Sequence, residues 1–175
     1  MSIRNIANVS LCLALLSVGN GVAAQNESRW HNVDINQQNR EPRRAAFFAY
    51  ETLDKAQSFD KKKSVNYLSM EGMWKFNFVK DHNKRPANFF AVNYDDSEWK
   101  DFPVPGLFEL NGYGDATYKN VGYAWATQFD PNPPYISELN NYTGSYRRTF
   151  ELPKDWKGKD VYFHVGSATS NLTLW

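Results

Sequence analysis

The sequence has 175 residues with a single cysteine, Cys12, and carries 20 basic against 19 acidic residues. That near-neutral balance, with no basic clustering, argues against nucleic acid as the main partner, and one cysteine excludes a disulfide framework. Aromatic residues make up 16% of the chain, a composition that favours strands and large half-buried surfaces.

The first expected element is a leader. Arg4 supplies a positive start, residues 9–18 are apolar, and Val22 and Ala24 place small residues ahead of a cleavage site before Gln25. The apolar run is shorter than the roughly 20 residues a membrane-spanning helix needs. Leu11 in front of Cys12 does not suit a lipoprotein signal. Residues 1–24 therefore read as a signal peptide, and the product is expected to be secreted or periplasmic, with no membrane partner after cleavage. Arg4 is the only charged residue lost, which leaves 151 residues with 19 basic and 19 acidic side chains and no thiol. That length suits one domain, which has to be held together by a packed core.

Residues 25–40 are polar and read as an irregular N-terminal arm, and residues 41–175 read as the folded domain. Lys61-Lys-Lys63 is expected to be a solvated turn. The first clear strand lies within residues 69–80, where Trp74, Phe76 and Phe78 fall on one face and Lys75 and Asn77 on the other. Gly72 fits a tight start or a bulge. Residues 81–88 are a polar connection, and residues 94–99 suit a turn or a one-turn helix. Phe102-Pro-Val-Pro-Gly106 is too rich in proline for a central strand and reads as an edge or crossover.

Residues 107–141 show little periodicity, as functional loops or packed insertions do. Regularity returns over residues 144–151, with Tyr146, Arg148 and Phe150 on one face and Arg147 and Thr149 on the other. A turn is expected over residues 153–159 with Trp156 packed beneath it. A strand over residues 160–165 groups Val161, Phe163 and Val165, and another starts at Leu172. Short strands between Pro/Gly loops indicate an all-β, antiparallel sandwich. The sequence stops inside that last expected strand, so the domain is expected to be incomplete at its C-terminus.

His31, His82 and His164 lack partners at metal-ligand spacing. His164, between Phe163 and Val165, is expected to be a packed or rim histidine. No nucleophile elbow, P-loop or dinucleotide fingerprint is present, and Ser170 is read as structural. Glycoside hydrolysis needs two flanking carboxyl groups. Glu71, Asp95, Asp96, Glu98, Glu138 and Glu151 are the candidates, but no pair stands out, and none is expected to be catalytic.

Seven segments, in order, resemble family 2 β-galactosidases. Asn39-Arg-Glu-Pro-Arg-Arg-Ala-Ala-Phe-Phe-Ala-Tyr50 is similar to the family's Asn-Arg-x-Pro segment, and Leu68-Ser-Met-Glu-Gly-Met-Trp-Lys-Phe to its Leu-Asn-Gly-x-Trp-x-Phe strand. Residues 95–99 lead to Val104-Pro-Gly-Leu-Phe-Glu-Leu-Asn-Gly-Tyr-Gly114, where Phe108 stands in place of the usual Trp. Tyr118-Lys-Asn-Val-Gly-Tyr123, Asn132-Pro-Pro-Tyr135, Thr143-Gly-Ser-Tyr-Arg-Arg-Thr-Phe150 and residues 161–175 complete the series.

The resemblance implies a galactose-binding-like jelly roll preceding an immunoglobulin-like domain and a catalytic barrel. The retaining glutamates lie on that barrel, so no catalytic residue falls in this chain. It also implies that this domain lends one edge of the pocket for a terminal β-galactoside. A sugar-contacting Asn of the family falls on Thr169, counting back from Trp175. The loop of residues 166–171 is one residue longer than the family's, which makes Asn171 the alternative. Magnesium and sodium are implied only for a full-length enzyme, and no ligand set can be placed in this chain. Homo-oligomerisation of that enzyme stays open. An independent carbohydrate-binding module and a structural adhesion domain remain the rival readings.

Overall fold

The computed structural model describes residues 32–116, 122, 132–135, 137 and 140–175. The leader, its cleavage site before Gln25, His31, Glu138 and most of the segment of residues 118–123 lie outside the described residues. The chain divides into two units, Met1–Arg43 with Trp125–Glu138, and Arg44–Ala124 with Leu139–Trp175. In the first, the described residues include two turns: the Ile35 amide donates to the Asn32 carbonyl at 3.2 Å, and the Tyr135 amide to the Asn132 carbonyl at 2.9 Å.

The second unit holds helix α1 (Leu53–Gln57) and strands β1 (Gly72–Val79), β2 (Lys100–Val104) and β3 (Thr143–Arg147). Thr52 caps α1 by accepting the Lys55 amide at 3.3 Å. The strands form an antiparallel sheet in the order β2-β1-β3. β1, whose alternation puts Trp74, Phe76 and Phe78 on one face, is the central strand. β2 carries Pro103 and lies at an edge, where a residue without an amide hydrogen costs little. Gly72 opens β1 at φ +126°, a conformation that a side chain would strain.

One face of the sheet forms the core. Phe76 and Phe102 are each only 1% exposed. The Phe76 ring lies 4.4 Å from Phe102, 4.7 Å from Tyr146, 4.9 Å from Tyr113 and 5.6 Å from Phe108. Phe108, the departure from the family pattern, thus closes the core. Its ring also meets Phe78 at 5.4 Å. Gly144 is needed at its place in β3, because a Cβ there would come within 2.6 Å of the Phe76 ring.

Elsewhere the turn expectations hold. Lys61–Lys63 is an exposed single turn capped by Asp60, and Lys154–Trp156 forms another, with the Trp156 indole donating to the Val65 carbonyl at 2.7 Å. The Trp99 amide closes a turn on the Asp96 carbonyl.

Three expectations need correction. Residues 160–165 and 172–175 are not in strands, and all of them are exposed. Their alternation is real, but a strand needs a neighbour to take up its amides and carbonyls, and among the described residues none pairs with them. β3 likewise ends at Arg147, so Phe150 lies outside the sheet and is 47% exposed. Among the described residues the architecture is therefore an antiparallel β fold with one three-stranded sheet.

Candidate functional site

The face of the sheet opposite Phe76 is polar, and it is organised by Arg147. Alternation along β3 turns this residue away from the core, beside Lys75 of β1 in the ladder. Its Nε donates to Asp96 Oδ2 at 2.7 Å, and its Nη1 to the carbonyl of Ala91 at 2.9 Å and to that of Phe89. The guanidinium also lies 5.4 Å from the centre of the Tyr94 ring. A planar fork with several fixed donors suits this multiple grip. The adjacent Arg148 holds the carbonyls of Met70 and Glu71 at 2.6 and 2.9 Å, bracing the start of β1.

The segment that Arg147 grips carries an aromatic group. Trp99 is buried against Phe89 and Tyr94, with ring centres 6.1 and 5.6 Å away. Trp175 meets Phe89 edge-on at 5.1 Å and stacks on Phe90 at 5.5 Å, with planes 11° apart. Thr169 and Asn171 lie on the run that ends at Trp175, and both are exposed, open to a solute. They share one loop, and the structure does not single out either one.

The candidate carboxyl groups are engaged otherwise. Lys62 donates to Glu71 at 3.1 Å, and that hydrogen bond, followed by the lysine's charge, pushes the Glu71 carboxyl below its ordinary value. The amide of Ser97 at 3.0 Å, then its side chain, does the same for Asp95. Asp96 is paired with Arg147. Glu51, not a candidate from sequence, accepts from the Ser64 hydroxyl at 2.5 Å and is pulled down to about 2, mainly by that bond. A general acid at neutral pH needs the opposite shift. Glu98 and Glu151 are exposed.

Among the histidines, His82 is buried with its Nδ1 3.1 Å from the Asn141 amide nitrogen, whereas His164 is exposed, not packed. Among the described residues, no three His, Cys, Asp or Glu side chains gather as metal ligands.

Sequence reasoning missed the grip of Arg147. The sequence places Asp96 in a turn over residues 94–99, among the candidate carboxyls, and Arg147 only on a strand face. Nothing in the spacing of two residues 51 positions apart marks them as partners.

Comparison with known proteins places this architecture. The family described as glycosyl hydrolases family 2, sugar binding domain, matches residues 67–175. The β-galactosidase of Priestia megaterium is 34% identical over 145 residues, covering 83% of this chain and 14% of that enzyme. That of Halalkalibacterium halodurans is 30% identical over 150 residues, covering 86% and 15%. The β-galactosidase large subunit of Leuconostoc lactis is 31% identical over 119 residues, covering 61% and 19%. The chain thus spans less than a fifth of the length of these relatives. It belongs to glycosyl hydrolases family 2, and residues 67–175 correspond to that family's sugar-binding domain.

Proposed function

We propose that this chain is the sugar-binding part of an exported β-galactosidase that hydrolyses terminal β-D-galactosides with retention. In this reading the chain completes a jelly-roll sandwich with the rest of its domain and contributes one edge of the galactoside pocket, with the catalytic glutamates elsewhere in the enzyme. Membership of the family's sugar-binding domain carries the reading. The engaged carboxyls support it, since Glu71, Asp95 and Asp96 are committed to Lys62, Ser97 and Arg147. Thr169 or Asn171 supplies the polar contact to the sugar. The charged start at Arg4 and the apolar run of residues 9–18 support export.

One preparation tests these points together. Expressed in an exporting host, the purified chain should begin at Gln25 and bind methyl β-galactoside weakly. A single open edge supplies few contacts, so the Kd should be on the order of 1 mM. It should release no product from a chromogenic β-galactoside. Turnover that disappears on replacing one of its own Asp or Glu residues would overturn the assignment of catalysis elsewhere. A chain retained with its first residues in place would overturn export.

A further inference from the structure

The loop of residues 166–171 lies outside the sheet, so something else has to set its position. Among the described residues, no hydrogen bond or ion pair holds residues 166–175, and their ring contacts are those of Trp175 with Phe89 and Phe90. Phe89 and Phe90 are not in a strand either. Arg147 grips the carbonyls on both sides of Phe90, those of Phe89 and Ala91, and is itself seated by Asp96 and the Tyr94 ring. Its own place is set by the β3 register, next to the buried Ser145.

We infer that Arg147 is a positioning residue for the 166–171 loop, acting through Phe89, Phe90 and Trp175, and so for galactoside contact at Thr169 or Asn171. The effect on sugar rests on the proposed function; the positioning of the loop does not. The side chain has to be arginine. Nε and Nη1 are used at once on a carboxylate and two carbonyls, and a lysine offers one nitrogen in place of that fork. A ring stacked at 11° and a second ring met edge-on define both the depth and the tilt of the indole. The Trp175 indole thereby ties the run that follows the loop to the segment that Arg147 grips.

The test follows amide and indole resonances of the isotopically labelled chain in Arg147→Lys and Arg147→Met. The Trp175 indole and the Thr169 and Asn171 amides should shift or broaden in both. The Trp74 and Trp156 indoles, which donate to the Met70 and Val65 carbonyls, should stay at their wild-type positions. Galactoside affinity should fall by roughly tenfold, within the range of ordinary coupling between contacting groups. Failure of the lysine to rescue separates fork geometry from charge.

Unmoved Trp175 and loop resonances in Arg147→Lys would overturn the inference, whatever happens to sugar binding. If the wild-type chain binds no galactoside, the proposed function fails, and the resonances still decide the positioning role. Should both Arg147 variants unfold, Asp96→Asn loosens the same grip more gently. It should move the same resonances by a smaller amount, and no movement there would also overturn the inference.

Discussion

The two faces of the small sheet are held by different physics. On one, Phe76, Phe102, Phe108, Tyr113 and Tyr146 meet with ring centres 4.4 to 6.1 Å apart, and the contacts are many and weakly directional. On the other, Arg147 makes three directed bonds to a segment more than 50 residues away in sequence. The first arrangement makes the fold. The second sets where the connecting segment sits, and through Trp175 it reaches the loop that carries Thr169 and Asn171. Burial is proportional to area and has no preferred angle, whereas a guanidinium fork tolerates little displacement of its acceptors.

That contrast predicts a ranking of stability. Phe76→Ala should cost about 3–5 kcal/mol, the usual range for emptying a buried phenylalanine site. Arg147→Met should cost about 1–3 kcal/mol, because it leaves carbonyls and a half-buried carboxylate without their donor. Denaturant unfolding of the two variants measures both. An Arg147→Met loss equal to that of Phe76→Ala would remove the distinction between a face that makes the fold and a face that places a segment.

Alkali should distinguish the faces more finely. Burial pushes the Tyr146 hydroxyl up to about 12 from an ordinary 10. The unfolded chain therefore ionises first, and the contribution of Tyr146 is complete below pH 10 and lost as pH rises from 10 through 12. Relative to the wild type, Tyr146→Phe should flatten the fall in stability across that window. An unchanged profile would mean that the aromatic face does not exclude water from this hydroxyl.

Much of the aromatic face was legible in the sequence. Trp74, Phe76 and Phe78 alternate with Lys75 and Asn77, and a strand has a period of two, so β1 and its inward side follow directly. The prolines around Val104 left the stretch as an edge or a crossover, because proline lacks the amide hydrogen a central strand must donate, and β2 is an edge. The same logic misled over residues 160–165, where Val161, Phe163 and Val165 alternate but remain exposed. Alternation records which side chains could share a face and says nothing of whether a neighbouring strand is present.

The polar face was hardly legible. The grip on the Phe89 and Ala91 carbonyls is made to backbone, which every residue has, so no side-chain pattern announces it. Thr169 and Asn171 came only through family resemblance, since two small polar residues in a Gly/Ser loop have no chemistry that distinguishes them by themselves.

The central claim is that residues 166–171 form a galactoside-contacting edge of a family 2 sugar-binding domain. The most direct measurement is a titration of the isotopically labelled chain with methyl β-galactoside, read residue by residue. Saturable shifts should centre on Thr169 and Asn171 and weaken when the contacting residue of the two is changed to Ala, while the Phe76 core resonances stay in place. Shifts that centre away from residues 166–171, or saturation unaffected by either Thr169→Ala or Asn171→Ala, would contradict it.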